Sequence, residues 1–104
     1  MLDISNAKVV RVIFLAREYG PESPHLIDYI SGLNDDEKSS LVALLWVGRE
    51  SFPPEEIEDA KRAAEAEATA PTEQYLSGIP GLPEYLEDGL DMLGIDVRDV
   101  EDRM

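Results

Sequence analysis

Carboxylates are the commonest reactive groups in this chain, with 23 Asp and Glu among 104 residues against 9 Lys and Arg, one histidine and no cysteine. Adjacent acids such as Glu55-Glu56 and Glu87-Asp88 have the composition of a general acid/base pair, but in so acidic a chain such neighbours arise without any role in proton transfer. His25 has no thiol to activate, and no serine stands in a Gly-x-Ser-x-Gly elbow, so nucleophilic catalysis has no recognisable framework. Zinc asks for several His or Cys ligands that the sequence does not hold. An oxygen-ligated calcium site of the Asp-x-Asp-x-Asp-Gly kind is not encoded either. Phosphate loops and dinucleotide fingerprints are likewise missing. The expectation is a non-enzyme that uses neither cofactor nor metal.

The more specific signals are aromatic residues, glycines and one arginine placed where helices begin, end or bend. Trp46-Val47-Gly48-Arg49 closes an apolar run and sets the single tryptophan beside a glycine and a guanidinium. Read structurally, Trp46 anchors a core, Gly48 ends the helix or admits a second backbone, and Arg49 answers the negative end of the helix dipole. Read functionally, Arg49 clamps a carboxylate or phosphate against an aromatic wall. Trp46, Arg49, Tyr75, Pro80 and Tyr85 together form the candidate interaction surface, because aromatic and arginine side chains are the usual anchors of interfaces. Gly48, Gly78, Leu86, Gly89 and Leu90 are read as the structural motif that positions them. Gly89, inside a helical pattern, implies a tight contact, since glycine there costs up to about 1 kcal/mol relative to alanine.

These residues need helices to hold them, and helix signals run the length of the chain. Ser5 is an N-cap for a helix over Asn6 to Tyr19, stopped by Gly20-Pro21; Val9, Val12, Ile13 and Ala16 share its apolar face. Val9 to Ile13 also fits a strand by propensity, and only the caps favour helix. Ser23-Pro24 opens a second helix ending at Gly32. Asn34 and Glu37 have capping-box spacing, with Asp35 and Asp36 at the positive end of the dipole. Leu41 to Val47 is apolar throughout, so the third helix, about 35–48, has no wet face there and is expected at the centre of the fold.

Pro54 suits the first turn of a fourth helix, with Phe52 placed to staple against Ile57 and Glu58 to pair with Arg62 four residues on. The inner face of that helix is alanine at positions 60, 63 and 64, which implies a close neighbour, a copy of the same face in a homodimer, or partial solvation. Thr72 is expected to cap a short helix ending at Gly78. A last helix begins near Pro83, with Leu82, Leu86, Leu90 and Leu93 inward and Glu84, Glu87, Asp88 and Asp91 outward; Gly94 closes it and Ile95 folds back. Residues 1–95 therefore read as one all-α domain, a compact bundle of five to six short helices, followed by an acidic tail over 96–104.

Charge bounds the partners. Residues 53–104 hold fifteen acids and four bases, so −11 of the net −14 falls in the second half. Such a field repels nucleic acid and anionic membrane, leaving a basic protein, a cation or no electrostatic partner. The first residues show no signal-peptide pattern, the longest apolar run is far short of a membrane span, and the absence of cysteine suits a reducing compartment. A cytoplasmic location is expected.

The segments Leu41-Val42-Ala43-Leu44-Leu45-Trp46-Val47-Gly48-Arg49, Tyr75-Leu76-Ser77-Gly78-Ile79-Pro80 and Tyr85-Leu86-Glu87-Asp88-Gly89-Leu90, in that order, resemble the small bacterial family DUF3775, and Leu2-Asp3-Ile4-Ser5 is similar to its start. The resemblance spans most of residues 2–94. It implies a bacterial origin and a helical fold, and it carries no activity, cofactor or partner with it. Two functional expectations follow. One is a non-catalytic protein- or ligand-interaction module; the other is an acidic decoy that occupies a basic, nucleic-acid-binding surface of another protein.

Overall fold

Short polar side chains open the first three helices. In the computed structural model, which describes residues 2–20, 22–67 and 71–96, Ser5 Oγ accepts from the Lys8 amide at the start of α1 (Asn6–Tyr19). Ser23 Oγ accepts from the Leu26 amide at the start of α2 (Pro24–Ser31). Asn34 and Glu37 complete a reciprocal capping box on α3 (Asp35–Gly48), with the Glu37 amide 2.7 Å from Asn34 Oδ1 and the Asn34 amide 3.0 Å from Glu37 Oε1. After a 3-10 turn over Pro54–Glu56 come α4 (Ile57–Glu67), α5 (Thr72–Ser77) and α6 (Leu82–Met92). Among the described residues there is no strand, and the fold is all-helical.

The β-branched run of α1 is helical, because its ends are capped and its inward side is broad: Val9, Val10, Val12, Ile13, Leu15 and Ala16 are all buried. Burial of this kind outweighs the small helix penalty of β-branching. α1 lies against α2 and α6, α2 against α5, and α3 against α6, α4 and α5. Every residue of α3 from Ser40 to Gly48 is buried, so this helix has no solvent face over its last two turns. Across from it, Leu82, Leu86 and Leu90 of α6 are fully buried, each stabilising the fold by about 1.5–3 kcal/mol. At the end of α6, the Ile95 amide bonds to the Leu90 carbonyl and the Gly94 amide to that of Asp91, both at 2.9 Å. This is the Schellman closure, with Ile95 packed against the core.

Several local details differ from the sequence reading. The α-helix expected from Pro54 starts at Ile57, because Pro54–Glu56 takes the tighter 3-10 form. Arg62 pairs with Asp59, one residue nearer than Glu58, and Glu58 lies 3.6 Å from Lys61. Ala60 and Ala64 are buried and Ala63 is half-buried, on a helix that packs against α3, so the close neighbour expected for the alanine face is present. Thr72 does not cap α5; it is the first helical residue, Pro71 takes the cap position, and no side-chain bond is made there. The acidic tail expected over 96–104 lies outside the described residues from 97 onward.

The segment before α1 is tied down by polar contacts across the fold. The Asp3 amide donates to the buried Ser40 Oγ at 2.9 Å, the Asp3 carboxylate pairs with the buried Lys61 ammonium, and Ile4 enters the core. Lys8 pairs with Glu37 at 2.5 Å, so α1 is fastened to the first turn of α3.

Candidate functional site

The C-terminal half of α3 crosses α6 at two glycines, Gly48 against Tyr85 and Gly89 against Leu44. A Cβ built on Gly48 would stand 1.8 Å from the Tyr85 carbonyl oxygen, and one on Gly89 would stand 2.6 Å from that of Leu44. Backbone therefore meets backbone here, which only residues without a side chain permit. The consequence for the site is positional. Arg49 follows the glycine that meets the Tyr85 backbone, and the Tyr85 ring lies over Gly81, whose own Cβ would be 3.6 Å from it. Pro80 is the chain neighbour of Gly81 and is exposed.

Trp46 sits beneath this surface instead of on it. At 5% exposure it is buried, its Nε1 donates to Tyr75 Oη at 3.1 Å, and its ring stacks on Phe52 with centroids 5.9 Å apart and planes 19° from parallel. The indole thus joins α3, α5 and the loop after α3. What reaches solvent is Arg49, Pro80 and part of the half-buried Tyr75 and Tyr85. Arg49 Nε lies 3.5 Å from Ser51 Oγ. Leu86 and Leu90 are fully buried supports. Gly78 caps α5 with φ −87°, and a Cβ there would meet only ordinary contacts, the nearest at 3.7 Å, so neither its backbone nor its surroundings demand glycine.

Two residues of this end stood outside the sequence reading of the site. Phe52, read as a staple for Ile57, has its ring on Trp46; aromatic spacing across a helix end carried no signal for that. Glu50 holds φ +66°, the sole non-glycine with positive φ among the described residues. Nothing local announces a left-handed glutamate.

His25 is exposed and packs its ring on Tyr19, centroids 4.4 Å apart. Among the described residues no three His, Cys, Asp or Glu side chains are gathered so as to hold a metal ion, and no helix is long and apolar enough to cross a membrane. This end of the molecule presents an exposed guanidinium and proline and two half-buried tyrosines.

The sequence model of the family described as protein of unknown function (DUF3775) matches residues 23–95. The chain belongs to DUF3775. The DUF3775 match runs from the Ser23 cap through Ile95 and so contains every residue of the surface just described. It leaves out α1 and the Leu2-Asp3-Ile4-Ser5 segment, although both are bonded into the same core. No curated protein and no solved structure matches the chain.

Proposed function

We propose that this DUF3775 protein is a non-catalytic, cytoplasmic interaction module that takes a protein or ligand on the surface of Arg49, Tyr75, Pro80 and Tyr85, with Trp46 as its buried base. What supports the reading is that exposed Arg49 follows the glycine that meets the Tyr85 backbone, that exposed Pro80 precedes the glycine under the Tyr85 ring, and that half-buried Tyr75 is bonded to Trp46. Rigid aromatic edges and a planar guanidinium bind with little conformational entropy to lose, which is why such residues dominate interface energetics. The reading is tested by affinity capture from native extract with wild type, Arg49→Ala and Pro80→Ala. Loss of one partner with an unchanged melting curve supports it. Equal capture by all three proteins, or loss only together with the fold, sinks it.

A second reading, the acidic decoy for a basic nucleic-acid-binding surface, is favoured by the exposed carboxylates of Glu84, Asp88 and Asp91 along α6 and of Glu55, Glu56, Asp59 and Glu65 nearer the 3-10 turn and α4. Under it, capture weakens steeply with salt and ignores Arg49. Capture that holds between low and high salt rules the decoy out.

A further inference from the structure

The closing motif of α6 recurs at the end of α3. The Ser51 amide bonds to the Trp46 carbonyl at 2.8 Å and the Glu50 amide to that of Val47 at 2.9 Å, as Ile95 and Gly94 do on α6. In α6 the left-handed position holds Gly94 at φ +80°; in α3 it holds Glu50 at φ +66°. A side chain in that region is sterically costly, and glycine is the residue that removes the cost. The glutamate breaks a second local rule, because it sets a negative charge at the negative end of the α3 dipole.

Both costs fall on the rim of the proposed surface. On one side Arg49 turns its Nε toward Ser51; on the other, Phe52 lies on Trp46. The Glu50 residue itself is exposed, and among the described residues it makes no ion pair. Strained residues concentrate where binding requires them. We infer that Glu50 is the charged recognition group of this surface and that it receives an arginine side chain from a protein partner. The inference rests on the interaction reading above and adds the partner's chemistry. A carboxylate offers acceptors only, the guanidinium matches it with two parallel donors, and the field of a chain with net charge −14 draws cations toward it. Phe52, two residues further along the chain and half-buried, is an aromatic residue of the kind on which a guanidinium stacks.

The experiment uses the full chain and one defined probe, acetyl-arginine methylamide, titrated against the ¹⁵N-labelled protein. Amide shifts should centre on Glu50, Ser51 and Phe52 and on the Trp46 indole. Glu50→Gln should weaken the probe about 1.5- to fivefold, the range of an exposed charge pair, whereas Asp35→Asn, at the opposite end of α3, should leave it unchanged. In parallel, Glu50→Gly should raise the melting temperature by roughly 4 °C or more, as relief of strain in a domain of this size does. Shifts spread evenly over the acids of α4 and α6, an affinity untouched by Glu50→Gln, or a melting point untouched by Glu50→Gly would each overturn the inference. The titration needs no natural partner, so its failure leaves the Arg49 capture experiment intact, and the two readings fall separately.

Discussion

Single atoms decide the geometry at Gly48. Alanine in place of an interior helical glycine ordinarily gains about 1 kcal/mol, but here the added methyl would fall 1.8 Å from the Tyr85 carbonyl oxygen, and backbone cannot swing aside as a side chain can. The clash outweighs the propensity, so Gly48→Ala should destabilise by roughly 2–4 kcal/mol net. Gly89→Ala should cost less, because two of its three nearest atoms belong to the Leu44 side chain, at 2.9 and 3.1 Å. Gly78→Ala, with no crowding and negative φ, should be neutral or stabilising by about 0.5 kcal/mol. Denaturant titration of the three variants checks this order, and equal effects would remove the crossing as the reason for Gly48. Tyr75 carries a separate prediction. Tyr75→Phe leaves the buried Trp46 Nε1 without its acceptor and should cost about 1–3 kcal/mol, with a shift in indole fluorescence; an unchanged stability would mean that the 3.1 Å bond is energetically idle. The sequence marks Gly89 because glycine inside a helix breaks a local rule, and Gly48 as a helix end or a point where a second backbone approaches. It leaves Trp46 open between core anchor and interaction surface, because its burial depends on α5 and on Phe52, which are brought there by chain folding and not by spacing.

Helix elements were legible wherever their ends carry chemistry. Ser5, Ser23 and Asn34 cap through side-chain oxygens within three residues, a range that sequence contains in full. The starts of α4 and α5 were less legible: Pro54 is compatible with both a 3-10 and an α turn, and Thr72 with both cap and first-turn positions, so tertiary packing decided. The long-range ion pairs were not legible at all, yet they fasten α1 and the segment before it to α3 and α4. Glu37 has its carboxyl held below the usual range by the Lys8 ammonium first and then by the Asn34 amide. A lowered carboxyl stabilises fully above its unfolded value, and that stability is lost as pH falls through the lowered one. Lys61 is raised above the ordinary lysine value, chiefly by its bond to Asp3; its contribution is complete below that ordinary value and is lost as pH rises through the raised one. Glu37→Gln keeps an acceptor for the capping box but abolishes the pair with Lys8. Unfolding free energies across pH should therefore show a shallower acid limb for Glu37→Gln, and Lys61→Met should flatten the alkaline limb. Variants that keep both limbs of wild type would mean that these pairs do not couple α1 to the rest.

Charge acts on the whole molecule. The folded chain measures 30 × 30 × 23 Å, and the Debye length is about 30 Å at 0.01 M salt but about 8 Å at 0.15 M. In dilute buffer each of the excess negative charges therefore feels the others across the entire globule, while at physiological salt it feels only its neighbours. Salt also weakens attractive pairs, but the pairs between exposed groups, Arg17–Glu87 at 2.9 Å and Arg62–Asp59, are worth little in water. The better shielded ones, Lys61–Asp3 and Lys8–Glu37, each place one partner at about 10% side-chain exposure, where screening reaches less. Repulsion spread over a net charge of −14 should then dominate the response, so the melting temperature should rise by several degrees between 0.01 and 0.15 M sodium chloride and flatten beyond it. Thermal melts over that range make the test. A melting point that falls with salt would show that local pairing outweighs the global field, and would move the stabilising role of charge from the whole molecule back to the contacts of Lys8 and Lys61.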